Sequence, residues 1–132
     1  MASAGSFWIR WAPLFLSLLR AVSGFLLMQH GMEKLFGFPA GHTVQLFSLM
    51  GLAGVLECFG GGLVLLGLFT RPIAFILSGE MAFAYFMAHF PVNHVWPILN
   101  HGGEAVLFCF VFLYLSAAGG GTISLDRAIR RA

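Results

Sequence analysis

The chain has 132 residues, of which 59% are hydrophobic and only 9% are charged, whereas soluble domains carry about 25% charged residues. So few charges cannot coat a water-facing surface, which excludes an ordinary soluble domain and predicts an integral membrane protein. The net charge is only +2 and the basic residues form no patch, which argues against nucleic-acid binding. The length fits a single domain, residues 1–132, with about four membrane crossings.

Four apolar segments are long enough to cross a membrane as helices, because about 20 residues span a hydrocarbon core of about 30 Å. The first follows a short leader in which tryptophans flank Arg10, and we interpret it as a retained span rather than a cleaved signal peptide. Pro13 is expected in its first helical turn. Glycine, proline and polar turns separate the segments. The predicted fold is an all-α membrane protein, a four-transmembrane-helix bundle with spans at residues 13–36, 45–69, 72–90 and 100–118.

The basic residues predict the orientation of these spans. Arg10, Arg71 and three arginines of the C-terminal tail lie on one side of the four-span arrangement, and only Lys34 lies near the other. Loops rich in lysine and arginine stay in the cytoplasm. We therefore expect a multi-pass protein of the cell inner (cytoplasmic) membrane, with both termini in the cytoplasm and the first and third loops facing outward.

Glu57 is the one charged residue of the second span and lies at its centre. A carboxylate is costly in lipid, so Glu57 should face protein, a partner or a water-filled cavity, where it is a candidate proton relay. His30 and Lys34 on the first span share a helix face because they are four residues apart, and Lys34 could reach down to Glu57. Arg20 and Glu80 lie at similar depths, which predicts an ion pair between them.

The outer half of the spans collects the histidines: His30, His42, His89, His94 and His101. Histidine carries protons and binds metals near neutral pH, although interfacial histidines also occur without such roles. The spacing His30-x-x-Glu33 recurs as His101-x-x-Glu104, so the two pairs could meet at the outer ends of the first and last spans.

Three sets of candidate site residues follow from this placement. His30, Glu57 and Glu104 are predicted to carry protons in catalysis, and His30, His101 and Glu104 are predicted as ligands of a mononuclear metal site. A complete four-carboxylate di-iron site is disfavoured because the carboxylates lie at different depths. A lipid-like headgroup or a quinone ring could lie among the many phenylalanines. The candidate cofactor-binding residues are Arg20, Lys34, Glu80, Tyr85 and His89.

The third span also makes a geometric prediction. Tyr85 and His89 share a face at a spacing of four residues, whereas Glu80 and His89, nine residues apart, should lie on opposite faces of a regular helix. Cys58 and Cys109 fall within apolar segments, and no C-x-x-C motif is present. Both are expected to be buried apolar thiols.

An ordered set of motifs runs from the first span to the tail, and it resembles the DoxX family of small membrane proteins. The motifs are Arg20, His30-Gly31-x-x-Lys34-Leu35-Phe36, Glu57-x-x-Gly60-Gly61, Gly67-Leu68-Phe69-Thr70-Arg71, Met81-x-x-x-Tyr85-x-x-x-His89, Trp96-Pro97, Asn100 to Glu104, and Ser124-Leu125-Asp126. The chain departs from the family pattern at His101-Gly102-Gly103, where the family often has one residue fewer.

The resemblance implies a four-helix membrane fold and a link to redox chemistry, because the family name derives from a subunit of an archaeal thiosulfate:quinone oxidoreductase. Other members look like partners in oxidative-stress or metal-handling systems. Three hypotheses remain: a quinone-linked redox component, such as the small subunit of an oxidoreductase; a non-catalytic membrane anchor for a soluble or membrane redox partner; and a metal-binding or transport protein. The glycine-rich helices are also compatible with a homodimer.

Overall fold

The structure is a computed structural model that describes residues 3–92 and 95–131, so His94 lies outside the described residues. The described part of the chain is all-helical and contains no strand. The α-helices are α1 (Ala4–Phe36), α2 (Leu49–Val55), α3 (Gly61–Leu66), α4 (Thr70–Ala84), α5 (Pro97–Asn100), α6 (Gly103–Ala118) and α7 (Leu125–Arg131). There are also two π-helical turns in the described chain: π1 (Leu56–Gly60) joins α2 to α3, and π2 (Tyr85–His89) extends α4.

Two helices of the described chain are long and apolar enough to cross a membrane. They are Ala4–Phe36, with 33 residues, and the continuous helix Leu49–Leu66, with 18 residues, while Gly103–Ala118 is apolar but shorter. Large apolar side chains on the outside are exposed, among them Phe75 at 64% and Phe110 at 63%. So much exposed apolar surface is expected on a protein that is covered by lipid rather than by water.

The first two helices differ from the predicted spans 13–36 and 45–69. The first begins at Ala4, so Pro13 lies inside the helix instead of in its first turn; a proline removes one backbone donor but is tolerated within membrane helices. The second is shorter at both ends. Ser48 caps it by accepting a hydrogen bond from the Gly51 N–H at 3.0 Å, and Gly67 ends it with a φ of 73°.

The other two helices lie closer to their predicted bounds. The third, formed by α4 and π2, runs from Thr70 to His89 instead of 72–90. The fourth begins at Gly103 instead of residue 100, because Pro97–Asn100 form the separate helix α5. His101 ends that helix in the left-handed conformation, with a φ of 58°.

The long helices associate as two pairs. In the first pair α1 packs along α2, π1 and α3; in the second pair α4 packs along α6; contacts between the pairs are sparser. Glycines bring the first pair close together: a Cβ added at Gly31 would lie 2.6 Å from Cys58 Cα and 2.7 Å from the Gly54 carbonyl oxygen. The buried core joins both pairs and consists of Leu27, Val64, Ala74, Leu77, Met81, Phe108, Phe112 and Leu115.

Arg20 ties the first helix pair to the C-terminal segment at one end of the molecule. Its side chain is only 4% exposed. The guanidinium donates to the carbonyls of Gly120 at 2.7 Å, Ile123 at 2.8 Å and Leu65 at 3.3 Å. The predicted Arg20–Glu80 ion pair is therefore wrong. Matching helix depths could not reveal that the C-terminal segment folds back and presents its carbonyl groups to the guanidinium.

Asp126 fixes the same end of the molecule to the start of α4. Its carboxylate accepts hydrogen bonds from the Phe69 N–H at 2.8 Å and the Thr70 N–H at 3.0 Å, where the positive end of the helix dipole favours an anion. Burial opposes ionisation of this carboxyl, but the hydrogen bonds from Thr70 and Phe69 outweigh it and lower the pKa of Asp126 below its usual value.

We expect Asp126→Asn to destabilise the protein by about 1 kcal/mol near neutral pH, as the loss of a helix cap does. Because the pKa is lowered in the folded chain, the unfolded chain takes up the proton first as the pH falls. The stabilisation by the Asp126 carboxylate is complete above about pH 4, and it is lost as the pH falls through the pKa that Asp126 has in the folded chain. Thermal unfolding in detergent between pH 7 and pH 3 should show the variant and the unmodified protein converging in acid. A difference that persists unchanged at pH 3 would contradict this role.

Candidate ligand-binding site

A cavity of about 620 Å³ lies between the two helix pairs, within the size range of small-molecule sites. Most of its wall is apolar and includes Leu27, Met50, Leu56, Met81, Met87 and Phe108. The titratable side chains that line it were all predicted as site residues: His30, Lys34, Glu57, Glu80, His89, His101 and Glu104. The fold therefore collects them around one apolar space.

The Lys34–Glu57 ion pair lies in the wall of this cavity. Lys34 Nζ donates to both carboxylate oxygens of Glu57 at 2.7 Å, and Glu57 is only 3% exposed. The pair joins α1 to π1, so the expectation that Lys34 could reach Glu57 is confirmed. Glu57 occupies the π turn, a local widening of a helix that occurs frequently at functional sites.

Glu80 brings a second carboxyl group to the same place from α4. Both of its carboxyl oxygens are buried, and neither has a hydrogen-bond partner among the described residues. The group interacts electrostatically with Glu57 and with Lys34. One lysine can balance only one of two carboxylates, and an uncompensated buried charge is costly. The three side chains are therefore arranged so that they balance in charge when they share one proton.

His30 and Glu104 meet at the mouth of the cavity. Their side-chain atoms Nε2 and Oε1 lie 2.9 Å apart, and the His30 ring stands edge-on to Phe108 with ring centres 6.4 Å apart. The contact joins α1 to α6, which confirms that the two predicted pairs meet through these residues. Their side chains are 45% and 61% exposed, so the contact borders the mouth rather than the buried interior.

Two predicted cofactor-binding residues do not line this cavity. Arg20 binds the C-terminal carbonyls at the other end of the molecule. The Tyr85 hydroxyl donates to the Val95 carbonyl at 2.7 Å and accepts from Asn100 Nδ2 at 3.2 Å. Tyr85 stacks on His89 with ring centres 6.4 Å apart, as expected from their shared face. Its role is to fix the segment that leads into α6.

The prediction that Glu80 and His89 lie apart on opposite faces is wrong, since both line the cavity. The reason is the π turn between them. The Phe90 N–H donates to the Tyr85 carbonyl at 2.9 Å, a bond that spans five residues instead of four. The extra residue in this turn rotates His89 toward the side of the helix that carries Glu80. His89 Nδ1 lies 3.1 Å from the Asn100 carbonyl oxygen.

The described residues contain no group of three or more His, Cys, Asp or Glu side chains placed to hold a metal ion. Of the predicted ligand set, His30 and Glu104 are in contact. His101 lines the cavity separately, because it follows α5 in the left-handed conformation. Cys58 and Cys109 are both free thiols, and Cys109 Sγ lies 3.6 Å from the Ser78 hydroxyl.

Sequence reasoning missed two features of the site and its frame. Asp126 appeared only as part of a motif, although its carboxylate fixes the start of α4. The π turns carry no marker in an apolar sequence, but they place Glu57 and His89. Glu57 itself was a usable signal for the first π turn. A charged side chain inside an apolar span needs polar partners, and the lipid-facing surface of a regular helix offers none.

Comparison with known proteins identifies the family. The sequence pattern of DoxX matches residues 15–90, a range that includes His30, Lys34, Glu57 and Glu80. An uncharacterized protein of Haemophilus influenzae is 41% identical over 123 residues, which cover 89% of this chain and 92% of that protein. The inner membrane protein YphA of Escherichia coli strain K12 is 29% identical over 128 residues, covering 87% of this chain and 90% of YphA. No solved structure matches the chain. The chain belongs to the DoxX family of small membrane proteins.

Proposed function

We propose that this protein is a quinone-binding component of a membrane redox system and that the quinone headgroup occupies the cavity between the two helix pairs. The observation that carries the proposal is a largely apolar cavity of about 620 Å³ with Lys34, Glu57 and Glu80 in its wall. In this proposal the four long helical segments cross the inner membrane as one domain with both termini in the cytoplasm. The relative YphA is an inner membrane protein by name, which supports that location.

The donors and walls of the cavity suit a quinone headgroup, which is a flat apolar ring with a carbonyl oxygen on each of two sides. Apolar side chains would surround the ring, and each carbonyl oxygen needs a hydrogen-bond donor. An ammonium group has three donors, and Lys34 gives two of them to Glu57. The third remains for a ligand, and a protonated Glu80, whose oxygens have no partner among the described residues, could supply another.

Reduction of a quinone to a quinol takes up two electrons and two protons. The electrons would come from a separate redox enzyme, and the protons are the part that this chain is equipped to move. Glu57 and Glu80 place two carboxyl groups, which can give and take protons, beside the cavity. His30 and Glu104 border its mouth, where they can exchange protons with the aqueous side. Lys34 holds Glu57 in position and keeps the local charge balanced.

Equilibrium binding of a short-chain quinone to the detergent-purified protein tests the proposal. We expect saturable binding, and Glu80→Leu should weaken it about tenfold because one hydrogen bond to the headgroup is lost. Glu80→Gln keeps a donor, so it should retain most of the affinity. Glu33→Gln is the matched control, since Glu33 lies outside the cavity wall, and its affinity should be unchanged. Absence of saturable binding, or equal affinity in Glu80→Leu, would overturn the proposal.

A further inference from the structure

A second cavity lies at the opposite end of the molecule from the His30–Glu104 contact. It has a volume of about 310 Å³ and is lined by three arginines and a glycine loop: Arg71, Arg127, Arg130 and residues 119–121. The arginines come from the start of α4 and from α7. Asp126 on α7 binds the backbone at the start of α4, and Arg20 binds the Gly120 carbonyl of the loop. The cavity is therefore part of the fixed frame of that end.

The positive charge of this cavity is only partly balanced by the described residues. The ion pairs of the described chain, Lys34–Glu57 and His30–Glu104, lie in the other cavity. Arg71 donates to the Ala117 carbonyl and Arg130 to the Asp126 carbonyl at 3.4 Å. These bonds orient the guanidinium groups without neutralising them. The Asp126 carboxylate interacts electrostatically with Arg130 and also accepts the N–H groups of Phe69 and Thr70. Its single negative charge can balance only one of the three arginines.

The glycine loop keeps the space beside the arginines open. A Cβ added at Gly119 would lie 3.2 Å from a terminal nitrogen of Arg71, and Gly119 and Gly121 both have a φ of 83°. Side chains at both positions would be strained, and a side chain at Gly119 would also fill the space next to the Arg71 guanidinium. Several guanidinium groups that converge on one space, with more positive than negative charge around it, are a usual arrangement for binding a phosphate group.

Exposed apolar side chains next to the arginines identify the source of that phosphate. Ile123 and Ile129 are 64% and 62% exposed. Ile123 precedes α7, and Ile129 lies within it between Arg127 and Arg130. A short segment that combines arginines with exposed apolar side chains is typical of the membrane surface. Basic pockets at the ends of membrane helices bind anionic headgroups there. We propose that this cavity binds the phosphate of an anionic phospholipid headgroup.

Native mass spectrometry of the delipidated full chain in detergent tests this site with two lipids, phosphatidylglycerol and phosphatidylcholine. The unmodified protein should retain phosphatidylglycerol in preference to phosphatidylcholine. The double variant Arg127→Gln/Arg130→Gln should lose about thirtyfold in phosphatidylglycerol affinity, because each basic residue near an anionic headgroup adds to its binding. Arg127→Lys/Arg130→Lys keeps the charge and should retain part of the affinity. Arg10→Gln removes an arginine outside this cavity and should leave the affinity unchanged.

Competition with inorganic phosphate separates a lipid site from a site for free phosphate. Millimolar phosphate should not displace phosphatidylglycerol from the unmodified protein. The exposed apolar side chains contact the acyl chains of the lipid, and free phosphate has no acyl chains. Displacement would overturn the lipid assignment. So would a double variant that still prefers phosphatidylglycerol, or an equal loss of affinity in Arg10→Gln. Unfolding temperatures without lipid should be the same for all variants, so that a loss of affinity reports on the site itself.

Discussion

Lys34→Met should destabilise the protein by about 3–5 kcal/mol, the usual cost of removing one partner from a buried ion pair. The substitution leaves the Glu57 and Glu80 carboxyl groups close together without a cation. Glu57 is 3% exposed and both Glu80 oxygens are buried, so water cannot replace the ammonium group. Denaturant unfolding in mixed micelles would measure the loss as a shift of the unfolding midpoint.

Glu57→Gln should cost clearly less than Lys34→Met. Lys34 interacts electrostatically with Glu80 as well as Glu57, so a carboxylate remains to balance the lysine when Glu57 is neutralised. The double variant Lys34→Met/Glu57→Gln should also be more stable than Lys34→Met, since it removes one of the two uncompensated acids. Equal losses for the two single variants would show that Glu80 does not belong to this charge group. Simple addition in the double variant would show that Lys34 and Glu57 are not coupled.

Gly31→Ala is expected to destabilise the protein by about 3 kcal/mol, at the upper end of the cost of overpacking a core. The added methyl group would meet the backbone of Cys58 and the Gly54 carbonyl. Backbone atoms cannot move aside as a flexible side chain does. The substitution would therefore push α1 away from α2 and π1, and it would lengthen the distance between Lys34 and Glu57. Thermal unfolding in detergent measures the loss of stability.

Gly79→Ala is the matched control for this substitution. A Cβ at Gly79 would have no neighbour within 4 Å, and alanine is the better helix former, so this variant should be as stable as the unmodified protein or up to about 1 kcal/mol more stable. If Gly31→Ala unfolds at the same temperature as Gly79→Ala, then the close approach of α1 to π1 is wrong. The position of Lys34 beside Glu57 would then lose its structural basis.

Elements that depend on charge and helical periodicity were predictable from the sequence. Charged side chains avoid lipid, so Lys34 and Glu57 had to face the protein interior, and few partners were available to either. The spacing of His30 from Glu33 and of His101 from Glu104 indicated that the ends of the first and last spans could meet. The structure confirms the meeting for His30 and Glu104 and places His101 in the wall of the same cavity.

Elements that depend on backbone groups were not predictable. Arg20 binds carbonyls of Gly120 and Ile123, which lie about a hundred residues further along the chain. Every residue has a carbonyl group, so no sequence pattern marks those that accept from an arginine. A π turn similarly differs from an α turn by one hydrogen-bond register, which leaves no trace in a uniformly apolar segment. The faces of Glu80 and His89 were assigned incorrectly for that reason.

In the proposed function, the space between the two helix pairs receives a quinone headgroup. A photoreactive quinone tests it directly when the labelled peptides of the detergent-purified protein are mapped by mass spectrometry. We expect labels on cavity residues such as Met50, Met81 and Met87, and excess unlabelled quinone should remove them. Labels confined to outward-facing residues such as Phe75 and Phe110, with no competition by unlabelled quinone, would contradict the account.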